Sequence, residues 1–373
     1  MDRRQFLLTS LPALAALSAG ITACRDGSDN TVSGGAAPPP IAGAAPFPPL
    51  NFVTSDAGQS DYRPAIDTTG TQVIFERTPV GGNLTSLYVV RSIVAPGAPT
   101  LFLSSANPSI TILPSQTRPD WCWKTGQVVV NIAETNTAAV EILIADSAGN
   151  ALSNVPNSQD YLYPIWSRDG SQLIVYDNKA AAVPQPRTSL ILPNGTLVKA
   201  NLNGLDSAGA RVFGGFAAPT PADATAIAFA GQPDLANWGP GPTKACPNDP
   251  SGYNQCYNYP FVNTATGGGF ASQPLEPGAS VTTYNPAYQG RAPYWSPNGK
   301  YVLFESDRNG GYAIFLANVA AGLAPVQVTD AAYGAQHAKF FPAGDKLILT
   351  ALQQPGAETG PRGIAWVDIS GYL

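Results

Sequence analysis

Cationic and aromatic residues recur just before a proline, or the position equivalent to it. Tyr62 and Arg63 precede Pro64, Arg118 precedes Pro119 and Tyr163 precedes Pro164, while Arg291 stands two residues before Pro293 and Gln336 with His337 before Ala338. Guanidinium groups are planar forked donors that suit a carboxylate, a phosphate or an acidic sugar. Gathered in one place, these residues would form an anion-binding site. A plainer reading pairs each cation locally, with Asp61, Asp120 or Asp160, so that it only orders its own loop. His337 is the sole histidine, which excludes zinc and manganese sites built on several histidines. No catalytic set, metal site or cofactor is read from the chain, since it has no Gly-rich phosphate loop, zinc-ligand spacing or EF-hand loop.

A second group falls in an irregular stretch rich in Pro, Asn and Gly, where Trp238, Tyr253, Tyr257 and Tyr259 accompany Cys246 and Cys256. Aromatics beside asparagine suit sugar stacking or protein docking, and equally suit packing a loop onto the body beneath it. The two cysteines enclose a short loop and are expected to form a disulfide in an oxidising compartment. Cys122, between Trp121 and Trp123, has no histidine near it in sequence and reads as a buried thiol rather than a nucleophile.

These residues must be positioned by strands. Gly (37) and Pro (36) are abundant and charged residues make up 12% of the chain, a turn-rich composition unlike that of a long-helix protein. The segment Pro164-Ile165-Trp166-Ser167-Arg168-Asp169-Gly170 returns as Pro293-Tyr294-Trp295-Ser296-Pro297-Asn298-Gly299, each running into an alternating strand. Asp-Gly and Asn-Gly supply the positive φ of a tight turn, so each unit opens as strand, turn, strand. Weaker copies start near Pro64, Pro119 and Ala338, and a degenerate one lies between Gly215 and Phe229. With a third strand and a short fourth in most units, the expected fold is all-β, a six-bladed β-propeller of four-stranded antiparallel blades. The strand-like Leu50 to Thr54 should complete the last blade, which ends after its third strand. Residues 231–289 read as an insertion in blade 4.

The run Trp295-Ser296-Pro297-Asn298-Gly299-Lys300, followed by Phe304-Glu305-Ser306-Asp307-Arg308-Asn309-Gly310, resembles the repeat of TolB-like propellers, a WD-repeat-like class. The resemblance runs from about residue 50 to the end, and is close in blade 5, good in blade 3 and poor in blade 4. It implies the propeller fold and a periplasmic habit, and does not carry over TolB's partners. Sugar-acid lyases built on such propellers resemble the chain in fold only, because their metal site needs several histidines.

The N-terminus gives an address. Arg3-Arg4 with Phe6 and Leu7, then an apolar stretch, reads as an export signal over residues 1–23, similar to twin-arginine signals although Asp2 stands where Ser or Thr is usual. General export stays open. Ile21-Thr22-Ala23-Cys24 resembles a lipobox, with Cys24 the lipidated residue. Residues 24–49, almost wholly small, polar and Pro, have nothing to bury and read as a disordered tether to a body at 50–373. With 20 basic against 25 acidic residues and a net charge of −5, nucleic acid is not an expected partner. The expected function is a non-catalytic, lipid-anchored, monomeric propeller outside the cytoplasm, periplasmic or at the cell surface, acting as a scaffold that binds an envelope protein or polysaccharide. The alternatives are a lyase or lactonase acting on an acidic sugar in the channel mouth, and a glycan-binding or sensor module.

Overall fold

Short β-rich runs separated by Gly, Pro and Asx turns give strands of two to eight residues, and no helix of the described residues is long and apolar enough to cross a membrane. The structure, a computed structural model, describes residues 46–135, 139–177, 187–205, 209, 212–233, 259–267, 269–275, 290–357 and 359–373. Cys24, Trp238, Cys246, Tyr253, Cys256 and Tyr257 lie outside them, as do the export signal and most of the tether.

The first strand is β1 (Asn51–Phe52). Blade 1 then holds β2 (Gln59–Ile66), β3 (Val73–Pro79), β4 (Ser86–Val90) and β5 (Thr100–Leu101). Blade 2 holds β6 (Ser115–Trp121), β7 (Val128–Ala133), β8 (Glu141–Ala145) and β9 (Ala151–Asn154). Blade 3 holds β10 (Tyr161–Trp166), β11 (Leu173–Asp177), β12 (Arg187–Ile191) and β13 (Leu197–Lys199). Blade 4 holds β14 (Val212–Pro219), β15 (Ile227–Pro233), β16 (Tyr259–Thr266) and β17 (Gly269–Pro274). Blade 5 holds β18 (Gly290–Trp295), β19 (Tyr301–Ser306), β20 (Ala313–Asn318) and β21 (Val326–Gln327), and blade 6 is β22 (Gln336–Phe340), β23 (Lys346–Leu352) and β24 (Arg362–Asp368). Six four-stranded antiparallel sheets result, the last with the order β1-β24-β23-β22. The chain is a six-bladed β-propeller.

The ring is closed by β1, whose Asn51 and Phe52 stand opposite Trp366 and Ala365 of β24. Just beyond it, the Val53 and Thr54 amides donate to the Ile364 carbonyl at 2.7 and 3.2 Å, and the Ile364 amide donates to Thr54 Oγ1 at 2.9 Å. The backbones approach so closely that a Cβ at Gly363 would lie 2.2 Å from the Thr54 carbonyl oxygen, so only glycine fits there. Apolar clusters bind neighbouring blades: Val73 and Phe75 of blade 1 pack with Ile348 and Ile364 of blade 6, and Ile74, Leu87 and Val89 pack with Val128, Val130 and Leu143 of blade 2. A blade cannot bury both faces alone, and the ring supplies each with a neighbour.

The stretch 231–289 differs from the sequence expectation of a single insertion, because it contains β16 and β17, the outer half of blade 4. Pro260 and the glycine run between the two strands disguise their alternation in the sequence. Tyr259 is accordingly not a surface residue of an insertion. It is 4% exposed and packs edge-on to Phe261, with ring centroids 6.4 Å apart, in the blade core.

Candidate functional site

Each innermost strand carries the same irregularity. Between Tyr62 and Ala65 of β2 the partner strand advances only from Glu76 to Ile74, so one residue is extra, and the same step recurs in β6, β10, β14, β18 and β22. The bulge forces one residue of each strand into positive φ: Arg63 (46°), Arg118 (57°), Tyr163 (53°), Phe216 (51°), Ala292 (48°) and His337 (52°). Such backbone is unfavourable for residues other than glycine. Its recurrence at six positions bearing five kinds of side chain makes it a property of the fold, which turns one side chain per blade toward the axis.

A bulged amide leaves the ladder and needs another acceptor. The second strand of the preceding blade supplies it in four cases. Thr350 Oγ1 accepts from Arg63 N at 3.1 Å, Glu76 Oε1 from Arg118 N at 2.5 Å, Asn131 Oδ1 from Tyr163 N at 3.0 Å and Glu305 Oε2 from His337 N at 2.6 Å. At the two remaining equivalent positions stand Tyr176, whose ring lies edge-on to Tyr163 at 5.9 Å, and Ala230.

All six bulge residues line one cavity of ≈ 80 Å³ on the axis, together with Pro119, Pro164, Ile165, Pro293, Tyr294, Ala338 and Lys339. The channel is bridged beside it. Lys339 Nζ of blade 6 reaches Pro119 O at 3.0 Å and Asp120 Oδ1 at 2.8 Å in blade 2. Arg168 of blade 3 donates to Trp295 O of blade 5 at 3.3 Å, its guanidinium 4.4 Å from the Trp123 ring centroid.

Among the residues singled out by sequence, Arg63, Arg118, Tyr163 and His337 meet in this cavity; Tyr62, Arg291 and Gln336 are not part of its lining. Tyr62 Oη accepts from Ser60 Oγ at 3.4 Å, and Gln336 is buried in β22. Arg291 donates through Nε to Glu305 Oε1 and lies 4.5 Å from the Tyr312 ring centroid. The channel-facing position of blade 5 is its neighbour Ala292. Phe216, Ala292 and Lys339 are lining residues that the sequence reading did not name. The residue immediately before proline marks the bulge in four blades, at Arg63, Arg118, Tyr163 and Ala292, and that rule applied strictly would have replaced Arg291 by Ala292.

The cations differ in how they are compensated. Arg63 Nη1 meets Glu76 Oε2 at 2.8 Å, and Lys339 meets Asp120. Asp61 accepts a fork from Arg77 at 2.7 and 2.8 Å. The local pairs expected from sequence, with Asp61 and Asp120, are thus taken by other cations. Arg118 has no acidic side chain in ion-pair contact among the described residues. Its guanidinium lies over the Tyr163 ring, 3.8 Å from the centroid, with Nη2 donating to Tyr163 Oη at 2.9 Å and Nε buried without a partner. Tyr163 in turn packs against Phe216, with ring centroids 4.1 Å apart and the planes tilted by 48°.

His337 Nδ1 lies 3.7 Å from Glu305 Oε2, beyond hydrogen-bond reach, and its Nε2 is buried with no partner. Burial, followed by the nearby guanidinium groups of Arg63, Arg291, Arg362 and Arg118, holds its pKa well below the ordinary histidine value. The imidazole is therefore neutral at pH 7. Among the described residues no group of three or more His, Cys, Asp or Glu side chains is placed to hold a metal ion.

No protein-family model and no curated protein matches the chain. Similar solved structures include TolB from Acinetobacter baumannii, 15% identical, covering 86% of this chain and 68% of that one with a TM-score of 0.46. Others are the β-propeller domain of the trilobed protease from Pyrococcus furiosus (11%, 82% and 81%, TM-score 0.47) and XC5397 from Xanthomonas campestris, described as a gluconolactonase (12%, 88% and 98%, TM-score 0.48). A protease domain, a lactonase and TolB are alike at these values, so no activity follows from them.

Proposed function

We propose that the protein is an exported, lipid-tethered, non-catalytic propeller that receives an anionic group of an envelope protein or polymer in the mouth of its central channel. One observation carries the reading: the axial cavity is lined by Arg118, whose charge no acidic side chain of the described residues meets at ion-pair distance, while the other lining cations, Arg63 and Lys339, are each paired. An uncompensated guanidinium held on an aromatic ring in an apolar wall costs stability that an anion repays on binding. The lipobox-like Cys24 and the tether behind it support the address.

Co-purification from solubilised membranes, with the tether intact, tests this. A partner retained by the wild-type protein and lost from Arg118→Ala supports the proposal, and equal retention by both contradicts it. Turnover of an acidic sugar or lactone that disappears in His337→Ala would replace the binder by an enzyme.

A further inference from the structure

Resting on that reading, we infer that the cavity takes a single carboxylate on a short apolar stem, such as the acidic tip of a peptide, and takes neither a phosphate nor a sugar ring. Size sets the first limit. A cavity of ≈ 80 Å³ has room for about half a dozen water-sized groups. A carboxylate with two or three carbons fits within this.

Charge sets the second limit. Three cations line the cavity, and Glu76 and Asp120 compensate Arg63 and Lys339, which leaves the one charge of Arg118. His337 adds none while it is neutral. One negative charge balances the site, and a phosphate dianion would leave a second one buried.

Hydrogen-bonding capacity sets the third. Arg118 Nε and His337 Nε2 are buried in this wall without a partner, the His337 side chain being 9% exposed. The two oxygens of a carboxylate accept from Arg118 Nε–H and from His337 Nε2–H, the neutral imidazole then carrying its one proton on Nε2. The apolar part of the wall, Pro119, Ile165, Phe216, Ala292 and Pro293, has no side-chain donor for further phosphate oxygens or sugar hydroxyls and suits methylene groups.

The probe is butyrate, titrated calorimetrically into the detergent-solubilised full-length protein at pH 7 and constant ionic strength, beside galacturonate and inorganic phosphate. Butyrate should saturate one site per chain and bind at least tenfold tighter than either competitor. Arg118→Ala and His337→Gln should each weaken it at least fivefold. Saturation-transfer NMR from the aromatic protons of the protein to the butyrate methyl group reads the same contact in the wild type, so the test survives a variant that does not fold. Phosphate or galacturonate binding as tightly as butyrate overturns the inference, as does butyrate affinity unchanged in folded variants. An amide-capped peptide with one glutamate, set against a peptide with a free C-terminus, tells whether the tip is a side chain or a chain end. If butyrate fails to bind while Arg118→Ala still loses the partner, the carboxylate assignment falls and the mouth remains a binding site. Full partner retention by Arg118→Ala contradicts the binding reading itself.

Discussion

Glu305 shows how one buried side chain does two jobs, since its carboxylate accepts from the Arg291 guanidinium of its own blade and from the bulged His337 amide of the next. Glu76 repeats the arrangement with Arg63 and Arg118. Arg63 and Arg291 are thereby committed to holding the ring, and Arg118 and His337 are left to the cavity. The depressed pKa of His337 has a consequence for stability. Below about pH 6.5 the unfolded chain binds a proton that the native imidazole refuses, so stability falls as the pH drops through that range. For one proton the slope is at most about 1.4 kcal/mol per pH unit. His337→Gln removes this term: its stability relative to wild type should be constant above about pH 7 and improve below about pH 6. Denaturant melts at pH 7 and pH 5 check it, and an unchanged difference between the two pH values contradicts it.

At the scale of the element, closure rests on a strand of two residues, yet it anchors more than its own ladder. Phe52 packs against the cluster containing Leu349 and Ala365 and lies 6.4 Å from the Tyr333 ring, while Val53 is buried against Ile364. Truncation to residue 45 should leave the melting temperature unchanged, whereas truncation to residue 58 exposes the edge of β24 and should cost about 3–5 kcal/mol. Equal melting temperatures would refute the closure. Blades 3 and 5 are legible in the sequence because their turns reuse one piece of chemistry. Ser167 and Ser296 accept through Oγ from Gln172 N and Tyr301 N, both at 3.0 Å, and donate to Asp169 and Asn298 at 2.6 and 2.7 Å. The corresponding turn of blade 4, from Thr220 to Ala226, has neither that serine nor a glycine, so no local signal marks its channel residue Phe216. The axial convergence itself is tertiary: Lys339 meets Asp120 across 219 residues, a contact that no local spacing announces.

For the whole molecule, the proposed address and the proposed site must act together, because a mouth that captures an envelope component has to be kept near it. Cys24→Ala should leave the protein unlipidated and move it from the membrane pellet to the soluble fraction, with the propeller's melting temperature unchanged. A mature N-terminus that mass spectrometry identifies as an unmodified residue other than Cys24 contradicts the tether. Whether the axial cavity binds or merely braces is decided by two quantities measured on Arg118→Ala, affinity for the co-purified partner and melting temperature. Affinity should weaken by about 1–3 kcal/mol with the melting temperature unchanged or raised; a lowered melting temperature with affinity intact would show that Arg118 only braces the ring.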